Sequence, residues 1–120
     1  MKVRHPNLVL FVGACADKGH VMIVTEYCFG GSLFSLLHER RGSVQLSVQQ
    51  KFKIAFDIAK GMNYLHTSGE RPILHRDLKS LNLLVVEPVT SSSDFVQVKI
   101  TDFGLSRAIT SLNEGIGPDY

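Results

Sequence analysis

The stretch that decides the fold is His75-Arg76-Asp77-Leu78-Lys79-Ser80-Leu81-Asn82, which is followed further along the chain by Asp102-Phe103-Gly104. Each of these two segments comes after a short apolar run of the kind that forms a strand. Together they place a proton acceptor, a cation and two oxygen ligands for a metal in two short loops. Because phosphoryl transfer depends on nucleophile positioning and divalent metal, the two segments predict that chemistry.

The residue types within the two segments suit separate tasks. Asp102 offers a full negative charge to Mg²⁺, and Asn82 offers a neutral amide oxygen, which are ligands that this hard cation accepts. Asp77 is then free to accept the proton of a substrate hydroxyl. Lys79 can neutralise charge on a transferring phosphoryl group, whereas Arg76 stays protonated and suits pairing with carboxylate or phosphate. The alternative is that these are ordinary loop charges that fall into register by accident.

The two motifs H-R-D-L-x-x-x-N and D-F-G are those of protein kinases, and the chain resembles a protein kinase domain over almost its whole length. Residues 5–13 look like the entry to the fourth strand of that fold. Residues 22–28 look like the fifth strand and the hinge between the lobes, and residues 30–33 look like the start of helix D. The resemblance implies an ATP-dependent enzyme that uses Mg²⁺.

The residues in and around the motifs indicate one kinase group. Lys79, two places after Asp77, resembles serine/threonine kinases more than tyrosine kinases. Residues 5–15 and 78–85 are most similar to the tyrosine-kinase-like group, which includes the Raf and mixed-lineage kinases. The implied reaction is transfer of the ATP γ-phosphate to serine and threonine hydroxyls of protein substrates.

The same resemblance assigns roles to further residues. Thr25 matches the gatekeeper at the back of the adenine pocket, and the backbone of Glu26 and Cys28 would hydrogen-bond the adenine edge. Leu84 would form part of the apolar floor of that pocket. Plain core packing is the alternative for Thr25 and Leu84. The residues that match members of the stacked spine are Phe11, His75 and Phe103.

Several kinase motifs do not occur in these 120 residues. They include the G-x-G-x-x-G phosphate loop, its partner lysine and glutamate, and the Ala-Pro-Glu motif. We therefore expect an α+β chain that is the middle of a kinase domain, with the end of the small lobe at 1–25, the hinge at 26–31 and the first half of the large lobe at 32–120. Such a fragment would be inactive alone.

A non-catalytic function is the second interpretation. The chain would then be a fragment or a pseudokinase-type module that binds partners without phosphorylating them. The intact Asp77, Asn82 and Asp102 argue against a decayed site, whereas the missing lysine and glutamate argue against activity of these residues alone.

Composition narrows the remaining function classes. The net charge of +2 gives no reason to expect nucleic acid or membrane partners. Cys15 and Cys28 lack metal-site spacing and fit a reducing, cytoplasmic location. Basic residues 1–4 before the apolar run 8–12 resemble a short secretory signal, but that run is short for one and fits a strand equally well.

Local patterns predict the elements. Strands are expected at 8–12 and 21–25 around a turn at 16–19, and again at 73–74, 83–86 and 95–100, the last alternating apolar and polar residues. Ser32 is expected to cap a helix that carries Leu33, Leu36 and Leu37 and ends near 40–42. Ser47 and Gln50 form a capping-box pattern for a long helix to about His66. Residues 87–94 are predicted to form a solvated loop.

The apolar residues of the long helix cover too wide an arc for one buried face. We therefore expect this helix to contact partners on two sides. The residues in that arc are Phe52, Ala55, Phe56, Ile58, Ala59, Met62 and Leu65.

Overall fold

Two small antiparallel sheets and one long helix make up the computed structural model, which describes residues 3–39, 44–70 and 72–103. In chain order the elements are strand β1 (Phe11–Asp17), strand β2 (His20–Thr25), a π-helix (Ser35–Glu39), helix α1 (Val48–Thr67), a 3-10 turn (Ser80–Asn82), strand β3 (Leu83–Val85) and strand β4 (Val98–Ile100). The predicted α+β class is confirmed.

Strands β1 and β2 form a hairpin whose turn is tighter than the sequence suggested. Asp17 pairs with His20, so Lys18 and Gly19 alone form the turn. Both have positive φ, 48° and 81°. A two-residue loop with positive φ at both positions matches the right-handed twist of the strands. The predicted turn at 16–19 is correct in place and too long by two residues.

The predicted first strand at 8–12 is wrong in its bounds, because β1 begins only at Phe11. Leu8 and Val9 leave the hairpin and lie against the other sheet. Leu8 forms a parallel bridge with Ile100, and the Val9 N–H donates to the Ile100 carbonyl at 2.9 Å. Both side chains are buried. This segment therefore joins the hairpin to the core.

Helix α1 begins with the predicted capping box. The Ser47 Oγ accepts from the Gln50 N–H at 3.1 Å, and the Gln50 Oε1 accepts from the Ser47 N–H at 2.9 Å. The buried positions follow helical spacing: Gln50, Ile54, Asp57, Gly61 and Leu65. On another side of the helix, Phe52 and Phe56 remain exposed among the described residues. Only one of the two expected contact sides is thus covered in this part of the chain.

Strand β3 lies between β4 and the segment that follows β2. The N–H of Gly30 donates to the Val85 carbonyl at 2.9 Å, and the Val85 N–H donates to the Gly31 carbonyl at 2.7 Å. A Cβ on Gly30 would lie 2.6 Å from the Glu87 carbonyl oxygen. Since that neighbour is backbone, only glycine allows this close approach.

The remaining strand predictions are partly correct. Strand β4 is confined to 98–100, although the predicted alternation holds, with Val96, Val98 and Ile100 buried and Phe95 exposed. Ile73 and Leu74 lie outside the strands. The Ile73 N–H instead donates to the Leu65 carbonyl at 2.9 Å near the end of α1, and its side chain is buried.

Two connecting segments depart from expectation. Ser32 does act as a cap, since its Oγ accepts from the Ser35 N–H at 3.1 Å, but the helix that follows has π geometry. Leu33 and Leu36 are buried, and residues 40–42, where its end was predicted, lie outside the described residues. The loop at 87–94 is not fully solvated, because Val89 belongs to the core.

One hydrophobic core contains residues from most elements. Its buried members are Leu8, Leu33, Leu36, Ile54, Leu65, Ile73, Leu83, Val85, Val89, Val96, Val98 and Ile100. Helix α1 packs on the β3–β4 sheet, so the loops that follow Ile73 and β4 are held against one another. Among the described helices, none is both long and apolar enough to cross a membrane.

Candidate active site

The loop around Asp77 is shaped by one histidine. The Asp77 N–H donates to the His75 Nδ1 at 3.1 Å, and the His75 Nε2 lies 2.7 Å from the Thr101 carbonyl oxygen. Because a carbonyl oxygen can only accept, Nε2 carries the proton and Nδ1 is the acceptor. His75 is thus a buried tether between the loop and the residue before Asp102.

Asn82 binds directly to Asp77. The Asn82 Nδ2 donates to the Asp77 carbonyl at 2.9 Å and to its Oδ2 at 3.2 Å. Only 7% of Asn82 is exposed, and its N–H donates to the Lys79 carbonyl at 2.8 Å in the 3-10 turn. Since the amide nitrogen already donates to Asp77, the amide oxygen is the atom of Asn82 that can bind a cation.

Lys79 lies beside the same carboxylate. Its Nζ is 3.4 Å from the Asp77 Oδ2, and the two side chains are 52% and 63% exposed. An ion pair this exposed adds at most about 1 kcal/mol to stability. The contact matters more for placement, because it keeps a positive charge next to the candidate proton acceptor.

Thr101 joins the two loops through its backbone. Its N–H donates to the Asn82 carbonyl at 3.0 Å, and its carbonyl accepts from His75. Asp102 follows directly, so the backbone bonds of Thr101 connect the residue before Asp102 to the Asp77 loop. The sequence did not indicate a role for Thr101, because its contacts are made by backbone groups and do not depend on the type of side chain.

The backbone is unusual at two of the predicted site residues. Arg76 has φ 68° and Asp102 has φ 64°, values that are uncommon for residues other than glycine. Such conformations concentrate at functional sites, where the surrounding hydrogen bonds hold them in place. Here the bonds of His75, Asn82 and Thr101 surround both residues.

The donors fit Mg²⁺ rather than a soft transition metal. Asp102 is exposed and Asn82 keeps its amide oxygen, so the site offers one carboxylate and one amide, and Mg²⁺ commonly takes one or two protein ligands with phosphates and water. The described residues contain no group of three or more His, Cys, Asp and Glu side chains able to hold a metal.

Glu26, which the sequence assigned to the hinge, has contacts that the sequence did not reveal. The Glu26 Oε1 accepts from the Leu10 N–H at 2.8 Å and from the Lys99 Nζ at 2.7 Å. Burial raises the pKa of Glu26, but the hydrogen bonds from Lys99 and Leu10 and the Lys99 charge outweigh it, so the net pKa is lowered. The Glu26 side chain therefore connects the segment after β2 to β4.

The other three residues assigned to the adenine pocket differ in exposure. Thr25 is exposed and donates to the Glu26 carbonyl at 3.1 Å, so core packing does not describe it. Cys28 is buried; burial and the nearby Glu26 charge raise the pKa of its thiol, and Lys99 opposes them. Leu84 is half-buried and forms a bridge with Ser32.

The three residues assigned to the stacked spine are not all placed in the core of the described structure. His75 is buried and Phe103 packs against the hydrophobic core, but Phe11 is 47% exposed in strand β1. The described chain therefore brings two of the three toward the core.

Comparison with known proteins defines the class. The family model for protein tyrosine and serine/threonine kinases matches residues 1–116. The chain therefore belongs to the protein kinase family, and its recognition from the H-R-D and D-F-G motifs is confirmed.

Most of the similar proteins are named as serine/threonine kinases. The chain is 50% identical to serine/threonine-protein kinase CTR1 of Arabidopsis thaliana over 106 residues, which is 88% of this chain and 12% of that protein. Serine/threonine-protein kinase TNNI3K of Mus musculus is 48% identical over 114 residues, 94% of this chain and 12% of that protein. The dual specificity protein kinase splA of Dictyostelium discoideum is 48% identical over 114 residues, 88% of this chain and 5% of that protein.

These comparisons fit the resemblance to tyrosine-kinase-like serine/threonine kinases. The chain spans only 5% to 12% of the length of the three relatives. The activity of a whole protein that includes this segment is therefore a matter for proposal and test.

Proposed function

We propose that this segment belongs to an ATP-dependent serine/threonine kinase and supplies its catalytic loop and metal ligands. The observation that carries the proposal is the hydrogen bond from Asn82 to Asp77, joined through Thr101 to the residue before Asp102. This arrangement supports the proposal, because Asp77 is bonded to one candidate metal ligand and the residue before the other is bonded to the same loop.

The atoms of the loop have separable tasks. The Asp77 Oδ2 is occupied by Asn82 and lies near Lys79, so Oδ1 is the atom that accepts the proton of the substrate hydroxyl. Lys79 stabilises the negative charge that develops on the transferring phosphoryl group. Arg76 offers a fixed positive charge for carboxylate or phosphate. When Mg²⁺ is bound by Asp102 and the Asn82 amide oxygen, it supplies charge neutralisation to the phosphates of ATP.

The adenine of ATP is proposed to bind at the hinge. Thr25 would lie at the back of its pocket, Leu84 beneath it, and the backbone of Glu26 and Cys28 along its edge. The boundaries follow from this assignment: the end of the small lobe at 1–25, the hinge at 26–31 and the first half of the large lobe at 32–120. A cytoplasmic location stays a prediction.

An assay of phosphoryl transfer requires the phosphate-binding loop, whose G-x-G-x-x-G sequence does not occur in these 120 residues. Residues 1–116 should replace the matching segment of the CTR1 kinase domain, and the chimera should be assayed with serine, threonine and tyrosine peptides. We expect serine and threonine peptides to be preferred, and the 120-residue chain alone to be inactive.

Variants of the chimera test the roles of the two aspartates. Asp77→Ala should lower turnover by about 10²–10⁴ because it removes the proton acceptor. The KM for ATP should change little, because the Asp77 carbonyl still accepts from the Asn82 amide. Asp102→Asn should raise the Mg²⁺ requirement as well. The matched control is Asp17→Ala in the exposed end of β1. Retention of most turnover by Asp77→Ala, or a preference for tyrosine, would show that the assigned roles are wrong.

The second candidate is a non-catalytic, pseudokinase-type module that binds partners without phosphorylating them. It predicts a chimera that folds and shows no phosphoryl transfer with any peptide. The same assay therefore separates the two candidates.

A further inference from the structure

We propose that Asp57, in the middle of helix α1, is a positioning residue for Asp102 and acts through the backbone of strand β4. The proposal rests on the proposed function, because it concerns the metal ligand of that site. Asp57 lies outside both kinase motifs, and none of the roles assigned above uses it.

The carboxylate of Asp57 is fully buried, with a side-chain exposure of 0%. Its two oxygens both accept from the Lys53 Nζ at 2.7 Å, and Oδ1 is 3.7 Å from the Lys60 Nζ. Its Oδ2 also accepts from the Val98 N–H at 2.9 Å. A buried carboxylate is costly unless it is paired and hydrogen-bonded, and these contacts meet that requirement.

Val98 is the residue of β4 at which backbone pairing on the outer edge ends. One step along that edge, Ile100 exchanges backbone bonds with Asn7 and Val9 at 2.8 and 2.9 Å. At Val98, side chains replace them: the Asn7 Nδ2 donates to the Val98 carbonyl at 3.0 Å, and Asp57 accepts its N–H. Asp57 therefore completes the hydrogen bonding of this edge of the strand.

Lys53 extends the contact to Val96, which lies two residues before strand β4 begins. Besides Asp57, its Nζ donates to the Val96 carbonyl at 3.1 Å and lies 4.9 Å from the centre of the Phe95 ring. The pair Asp57 and Lys53 thus binds backbone groups of two alternate residues, Val96 and Val98. One attachment in the strand and one just before it fix the position of β4 along its own axis as well as its distance from the helix.

Strand β4 transmits that position to the site. The chain runs from Val98 through Ile100 to Thr101, which bonds Asn82 and His75, and then to Asp102. An extended chain rises about 3.3 Å per residue with little slack. A shift at Val98 must therefore be taken up at Thr101, where it changes the placement of Asp102 relative to Asn82.

The first test measures the strand directly. Asp57→Asn keeps the shape and an acceptor but loses the ion pair, and Lys53→Met keeps the aliphatic stem and loses the ammonium group. The matched control is Lys51→Met, an exposed lysine of the same helix. Hydrogen exchange by mass spectrometry on the full chain should show at least tenfold faster exchange in residues 96–102 for both variants, with residues 20–25 unchanged.

The second test measures the site in the active chimera. Both variants should raise the Mg²⁺ concentration for half-maximal activity at least threefold, while the KM for the acceptor peptide stays within twofold. A residue that only stabilises the fold would not produce this split. Equal changes in both quantities, or exchange that rises equally in residues 20–25 and 96–102, would overturn the proposal.

The tests still decide the proposal if a variant fails to fold or if the chimera is inactive. If Asp57→Asn does not fold, Lys53→Met decides the outcome, because the Lys53 side chain is partly exposed and the Asp57 carboxylate keeps the Val98 N–H and Lys60 as partners. If the unmodified chimera is inactive, the proposed kinase function fails. In that case, localised exchange in 96–102 still supports the coupling of Asp57 to the strand, and unchanged exchange there overturns it.

Discussion

At the residue scale, Asp94 shows how one carboxylate can order a loop at the surface. Its Oδ2 accepts from the Thr90 N–H at 2.8 Å, the Thr90 hydroxyl at 3.0 Å and the Ser91 N–H at 3.1 Å, and its Oδ1 accepts from the Ser91 hydroxyl at 2.9 Å. These bonds, with the Thr90 N–H foremost, lower the pKa of Asp94 to about 2 from 3.8.

We predict that Asp94→Ala destabilises the chain in a pH-dependent way. A carboxyl whose pKa is lowered on folding contributes stability above its unfolded pKa, and that contribution is lost as pH falls through the folded value. The difference in unfolding free energy between wild type and variant should therefore be constant above about pH 5. It should shrink as pH falls from 3.8 toward 2.

Urea denaturation at a series of pH values measures this difference. Asp17→Ala, another exposed aspartate, serves as the control and should show a smaller effect at pH 7. A gap between wild type and Asp94→Ala that stays the same down to pH 2 would contradict the account.

Sequence reasoning at this scale succeeds where the function of a residue depends on near neighbours in the chain. Asp77, Lys79 and Asn82 lie within one loop, so their spacing alone predicts that they meet. Glu26 and Lys99 are 73 positions apart, and their hydrogen bond depends on how the segment after β2 packs against β4. In the sequence, Asp57 looks like an ordinary polar residue of a helix. Its hydrogen bond with Val98 is apparent only from the structure.

At the scale of elements, the start of helix α1 is tied to the loop that Asp94 orders. The Gln50 Nε2 donates to the Ser91 carbonyl at 2.9 Å and to the Asp94 carbonyl at 3.0 Å. The same side chain completes the capping box with Ser47. Gln50 is buried, so its amide serves the helix end and the loop in a place that water does not reach freely.

We predict that Ser47→Ala costs about 1 kcal/mol of stability, the usual value for loss of a side-chain N-cap. Gln50→Ala should cost more, because it also leaves the carbonyls of Ser91 and Asp94 without their donor. Thermal unfolding monitored by circular dichroism would rank the two variants. Gln49→Ala on the exposed side of the same turn is the control, and an effect of Gln50→Ala no larger than that of Ser47→Ala would contradict the prediction.

The elements that the sequence predicted best are those whose ends carry local chemistry. Helix α1 has a capping box, and the predicted end near His66 differs from the observed Thr67 by one residue. The first strand was misplaced because Leu8 and Val9 look like strand residues of the hairpin but pair with β4 instead. Nothing near Leu8 in the chain indicates that partner, so periodicity could not separate the two cases.

At the scale of the whole molecule, the exposed large apolar side chains of the described residues include groups on helix α1 and on the β1–β2 hairpin. Along one side of α1, Phe52 is 73% exposed and Phe56 is 58% exposed. On the β1–β2 hairpin, Val12 and Met22 are also exposed. Contiguous exposed apolar residues of this size favour association. Phe52 and Phe56 are exposed members of the wide apolar arc that the sequence of α1 displays.

We predict that the 120-residue chain self-associates with rising concentration, and that Phe52→Ser combined with Phe56→Ser weakens this association at least tenfold. Burial of one phenylalanine side chain is worth about 1.5–3 kcal/mol, and a tenfold change in Kd corresponds to about 1.4 kcal/mol. Sedimentation velocity over a concentration series gives the two association constants. The control is Tyr27→Ser, which removes an exposed aromatic residue outside the helix. If the control weakens association as much as the helix pair does, the association is not specific to this side of α1 and the prediction is wrong.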